Sequence, residues 1–116
     1  MFSFESIGVY TKARTLVKEV YKLQRQFPPE ERYALGDQIR RSITSVTSNI
    51  AEGSGRDSYK EKIHFCEIAF GSLMEAFRQL QNAQDLEYLS ETQVESLRPQ
   101  FEEIAKMISG LKSSFE

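Results

Sequence analysis

The 116-residue sequence has no tryptophan, one cysteine, one histidine and three prolines. A lone thiol, Cys66, cannot close a disulfide within the chain, and with His64 as the single imidazole there is no cluster at metal-ligand spacing. Redox and zinc chemistry are therefore not expected, and neither a cofactor nor a metal is. No apolar run approaches the roughly 18 residues of a transmembrane helix. The start, Met1-Phe2-Ser3-Phe4-Glu5, has neither the basic opening nor the small-residue cleavage site of a secretory signal, so a cytoplasmic protein without a membrane partner is expected. Internal repeats and low-complexity tracts are also missing.

What is present is the balance of a globular protein: 40% hydrophobic and 28% charged residues exclude a disordered tail. One domain spanning residues 1–116 is expected, large enough to bury about two thirds of the surface its unfolded chain exposes. The net charge of -2 argues against a strongly nucleic-acid-binding monomer, but it is unevenly placed. Residues 1–60 carry ten Lys and Arg against seven acids, and residues 61–116 carry five against ten.

Apolar spacing predicts four helices, over about 7–27, 30–53, 58–83 and 91–112. The first carries Val9, Ala13, Leu16, Val20, Leu23 and Phe27 in steps of four and three, which places them on one stripe. Pro28 and Pro29 stop it, and Pro29 followed by Glu30 and Glu31 suits the first turn of the next helix. There the stripe is Gly36, Ile39, Ile43, Val46 and Ile50, with Gly53 and Gly55 as the stop. Ser58 with Glu61 is spaced as a capping box for a third helix, whose stripe is expected to be Ile63, Cys66, Phe70, Leu73, Phe77 and Leu80. Ser90 with Gln93 opens the fourth, carried by Val94, Leu97, Phe101, Ile104, Ile108 and Leu111. Pro99 should kink or break it, and residues 112–116 should be loose. Four such helices joined by short connections point to an all-α, antiparallel up-down-up-down four-helix bundle.

Residues off the stripes carry the functional expectations. Ala69, Ala76 and Ala83 recur every seven positions beside the third stripe, as internal packing against a close neighbour would need. Phe65 and Ile68 fall on the side away from that stripe, where contact with another subunit is expected. The second helix has a face of small polar residues, including Ser45 and Ser48, that is read either as a solvated surface or as a second subunit contact. Lys18, Lys22 and Arg25 share one side of the first helix and could track a phosphate backbone. The turn Gly53-Ser54-Gly55-Arg56 lacks the Lys-Ser/Thr ending of a phosphate-binding loop. Nothing nucleophilic or acidic is fixed beside His64 as a catalytic pair, so no enzyme is expected.

The stretch FPPEERYALGDQIRRSITSVTSNIAEGSGR, Phe27 to Arg56, resembles the signature of the bacterial four-helix bundle proteins encoded in intervening sequences of 23S ribosomal RNA genes. The matching elements are Pro29, Glu31, Tyr33 and Leu35; Gln38 to Arg41; and Ser48-Asn49-Ile50-Ala51-Glu52-Gly53 followed by Arg56. Ile68-Ala69-x-Gly71-Ser72-Leu73 and the Leu86-x-Tyr88-Leu89 corner extend the resemblance over nearly the whole chain. Tyr10 stands where a tryptophan is expected and Ala76 where leucine is commoner. The resemblance implies a homopentamer, and it extends to accessory proteins of diversity-generating retroelements, which bind nucleic acid through a basic surface. In that light Asn49, Glu52 and Arg56 either satisfy partners inside the bundle or form, with Arg40 and Arg41, the rim of a binding site. Two functions follow as expectations: an oligomer that contacts RNA or a ribonucleoprotein through its basic half, and an interaction or scaffold module with a polypeptide partner.

Overall fold

A computed structural model describes residues 1–116 as four helices: α1 (Gly8–Gln24), α2 (Leu35–Ser54), α3 (Tyr59–Asp85) and α4 (Glu91–Ser114). A 3-10 turn, Ser3–Ser6, precedes α1, and another, Pro29–Glu31, lies between α1 and α2. Each helix packs on its neighbours in the order α1, α2, α3, α4 and back to α1, leaving α1 and α3, like α2 and α4, on the diagonals. The result is an all-α four-helix bundle of 43 × 25 × 24 Å, about as long as α3.

The stripes on α1, α2 and α4 form the core as their spacing predicts. Val9, Ala13, Leu16 and Val20 are buried on α1, Ile39, Ile43, Val46 and Ile50 on α2, and Val94, Leu97, Phe101, Ile104 and Ile108 on α4. On α3 the stripe is rotated. Cys66, Leu73 and Leu80 are buried as expected, but their companions are Ala69, Ala76 and Ala83, not Ile63, Phe70 and Phe77. Alanine wins because α2 and α3 form the most extensive helix contact in the molecule, and methyl-sized side chains let the two backbones approach. Phe77 is displaced to the flank toward α4, where its ring lies 5.0 Å from that of Phe101.

Local chemistry explains most helix ends. Ser90 and Gln93 form a full capping box, each side chain accepting from the other's backbone N–H at 3.1 and 2.9 Å. At α3 only half of the expected box forms: Ser58 Oγ accepts from the Glu61 N–H at 3.1 Å. The α3–α4 corner is a Schellman turn, with Tyr88 N–H donating to the Ala83 carbonyl and Glu87 N–H to that of Gln84. Its left-handed position is held by Glu87 at φ 66°, the one positive-φ residue in the chain.

Three expectations are corrected. α2 begins at Leu35, because the chain makes a 3-10 turn at Pro29–Glu31 and then a non-helical residue, Ala34 at φ -118°, ψ -106°. Gly36 permits this: a Cβ there would sit 2.9 Å from the Glu31 carbonyl oxygen. The stop at Gly53 and Gly55 falls where the sequence places it: α2 ends at Ser54, with Gly55 as its cap in ordinary right-handed geometry. α4 runs unbroken through Pro99, which is exposed, so water can satisfy the Glu95 carbonyl that has lost its intrahelical donor. Residues 112–114 remain helical, and Phe115 is tied back by Tyr59, 5.8 Å between rings, and by Lys62 over its face at 5.7 Å.

Candidate functional site

The α2–α3 junction holds most of the polar side chains that the sequence singles out. Gln79 is buried within it, donating to Gln38 Oε1 at 2.9 Å and accepting from Asn82 at 3.0 Å. Two turns along, Ser45 and Ser72 hydroxyls meet at 2.8 Å, and Asn49 Nδ2 donates to the Ser45 carbonyl and hydroxyl at 2.8 and 2.9 Å. Buried polar groups left unpaired would cost about 1–3 kcal/mol each, so this ladder fixes one register of α3 against α2. Ser72 stands out in the sequence only as part of the family resemblance and Gln79 not at all, although Phe65, Ser72 and Gln79 recur every seven residues on this side of α3.

At the end of α2 the remaining signature residues form a second joint. Gly53 is buried beneath Phe65, and a Cβ at Gly53 would lie 2.9 Å from the Phe65 Cβ. Arg56 closes over the Phe65 ring at 4.9 Å and pairs with Glu52 at 2.7 Å. Phe65 is therefore half-buried inside its own chain and does not point outward as expected. Ser48 is exposed, at the mouth of a polar groove that also includes Arg41, Ser45, Ser72 and Glu75.

The six candidate phosphate-contacting cations are dispersed in their roles. Arg40 donates to the Arg32 carbonyl at 2.8 Å, Arg41 pairs with Asp37 at 3.0 Å, and Arg56 is engaged as described. Lys22 lies 3.4 Å from Glu19. Of these six, only Lys18 on α1 and Arg25 at its C-cap are exposed without a carboxylate partner.

The outer face of α3 is different in kind. Ile68 (36% exposed), Phe70 (36%) and Met74 (41%) flank Gly71, which is itself exposed in the middle of the helix. A Cβ at Gly71 would meet nothing within 4 Å. Glycine in an exposed helix interior costs about 1 kcal/mol relative to alanine, and no contact inside this chain requires it. Gly110 is equally open, but of its neighbours on α4 Lys106, Ser113 and Ser114 are exposed and polar, and the one apolar neighbour, Met107, is half-buried against the core. At Gly71 a bare backbone lies among three exposed apolar side chains.

Cys66 is buried, and burial raises its thiol above the ordinary value, with Lys112 pulling it down and Glu67 up. His64 is exposed and stacks edge-on with Phe65 at 5.7 Å. No three His, Cys, Asp or Glu side chains converge as a metal-binding set, and no helix is long and apolar enough to cross a membrane.

With this architecture, the model of the 23S rRNA-intervening sequence protein family matches residues 5–110. The chain belongs to that family. A crystal structure of a protein of unknown function from the S23 ribosomal protein family of Bacteroides thetaiotaomicron superposes with a TM-score of 0.82. The two are 25% identical, over 90% of this chain and 95% of the other. No curated protein matches the chain significantly. Of the residues that carry the resemblance, Gln38 and Gly53 meet α3 directly, while Asn49 and Glu52 hold Ser45 and Arg56, which do.

Proposed function

We propose that this family member is a non-enzymatic bundle that works as a self-associating interaction module, with the outer face of α3 as the contact between copies. Gly71 carries the reading. An exposed mid-helix glycine is a net cost to the isolated chain, and among Ile68, Phe70 and Met74 it gives a second helix a place to approach the backbone. The homopentamer implied by the family resemblance is the expected assembly, and Ser45 and Ser48 on the neighbouring polar groove are candidates for its rim. Light scattering on the purified chain tests it. A multiple of 13.4 kDa that falls to one chain on Ile68→Asp supports it; a monomer at tens of micromolar refutes it.

RNA contact is the second reading, favoured by the unpaired Lys18 and Arg25 on α1. Two free cations of this stripe on one chain are feeble, but several copies converging on one nucleic acid gain by effective concentration. Fluorescence anisotropy with a structured ribosomal RNA fragment, titrated over salt, measures it. Steep weakening with salt, lost in the triple variant Lys18→Glu, Lys22→Glu, Arg25→Glu, supports the stripe. Absence of binding at low salt by folded protein leaves the polypeptide-partner reading alone.

A further inference from the structure

We infer that the end of the bundle beside the α2–α3 turn binds a small amphipathic molecule with an apolar body and one anionic head, such as a medium-chain carboxylate. A cavity of about 320 Å³ lies there between the N-terminal segment and three helices, lined by Ile7, Ile50, Leu111 and Phe115 with Asn49 and Lys62 as polar members. That volume is at the small end of ligand pockets, so it suits a short chain or single ring and not a macromolecular segment.

Lys62 gives the ligand its charge. Its ammonium donates to the carbonyls of Ser54 at 3.2 Å and Gly53 at 3.5 Å, which leaves one of its three N–H donors free. It is half-buried, lies over the Phe115 ring, and forms no ion pair with any carboxylate. The other half-buried lysine, Lys112, has such a partner in Glu67 at 3.7 Å. A partly desolvated ammonium beside an apolar cavity is a strong site for an incoming anion, because a charge-assisted hydrogen bond there replaces lost hydration. The neighbouring groove along Glu67, Phe70, Gly71 and Ser109 lacks this feature, since its lysine is the paired Lys112. Lys62 also joins the turn after α2 to the C-terminal Phe115, so occupancy would bear on both ends of the cavity.

The test is a titration of the full chain with octanoate, and separately with octanol, followed by amide NMR. Saturable octanoate shifts at Asn49, Gly53, Lys62 and Leu111, with Gly71 and Ser109 unmoved, are expected. Lys62→Gln removes the charge and keeps a neutral donor on a side chain one atom shorter; it should weaken octanoate about tenfold, the loss of one charge-assisted bond, and leave octanol unchanged. Lys62→Met serves equally if the glutamine variant is unfolded. The proposal is overturned if folded protein shows no saturable binding, if the shifts cluster on Gly71 and Ser109, or if a folded Lys62 variant binds octanoate as the parent does.

Discussion

Gly71→Lys should make the isolated chain more stable and the assembly weaker. Removing a glycine from an exposed helix interior recovers about 1 kcal/mol. The new ammonium would stand four residues after Glu67 and four before Glu75, both exposed, adding about 0.3–0.5 kcal/mol from the well-oriented first pair and less from the second. Nothing within 4 Å obstructs even the first carbon of the new side chain. The folded monomer should therefore gain about 1–1.5 kcal/mol, or a melting temperature several degrees higher for a chain of this size. If a second copy seats on Gly71, the same side chain places a charge and four methylenes where backbone contact is needed, and the complex dissociates. Light scattering at tens of micromolar would read the mass, and circular dichroism under dissociating dilution would read the melting point. A raised melting point with unchanged assembly would refute the assignment of this face; a lowered one would show that Gly71 is needed inside the chain.

Other substitutions test the joints. Glu87→Gly should stabilise by about 0.5–1 kcal/mol in thermal melts, because relief of left-handed strain of about 1–2 kcal/mol exceeds the entropic cost of glycine. Gly53→Ala should lower the urea midpoint, since overpacking against Phe65 costs about 1–3 kcal/mol and outweighs the helix propensity gained. Gln79→Ala should cost about 0.5–1.5 kcal/mol for each hydrogen bond it removes, to exposed Gln38 and half-buried Asn82, also read by denaturation. The Tyr88 hydroxyl donates to Glu31 at 2.9 Å, and that bond holds its pKa above the ordinary 10.0. The neutral phenol is the stabilised form, so this contribution is complete below pH 10.0 and is lost as pH rises through the native value. Melts of the parent should fall over that range more steeply than those of Tyr88→Phe.

The bundle was legible because three of its helices bury large aliphatic residues at regular steps, and size and spacing then agree. On α3 they disagree. Phe70 and Phe77 offer more apolar area than Ala69 and Ala76, and area alone selects the wrong pair. The deciding fact is how near α2 comes, and that is a property of two helices at once: Ser42 is buried, Gly53 is buried under Phe65, and Ser45 touches Ser72. The same reason hid the start of α2. Pro29 with two following acids is a sound helix opening, but a 3-10 turn folded back on Gly36 satisfies it equally. Among the candidate cations, spacing showed which share a side but not which are paired: Glu19, Asp37 and Glu52 reach Lys22, Arg41 and Arg56, while Lys18 and Arg25 stay unpaired.

The signature residues and the proposed contact face are therefore separate kinds of information. Gln38, Asn49, Glu52 and Gly53 are engaged by partners within the chain, and the ladder they join to Ser72 and Gln79 sets the register of α3. Sliding α3 one turn, about 5.4 Å, would unpair Gln79 and drive Phe65 off Gly53. The register in turn determines which residues α3 shows to the outside, placing Gly71 among Ile68, Phe70 and Met74. If copies associate through this face as proposed, the signature governs that assembly without touching a second copy. Loosening the ladder by Gln79→Ala should weaken assembly even though Gln79 is buried, whereas Gly71→Lys should abolish it with the ladder intact. Equal assembly by the Gln79 variant and the parent, at a temperature where both are folded, would separate register from association and leave the signature a purely internal device.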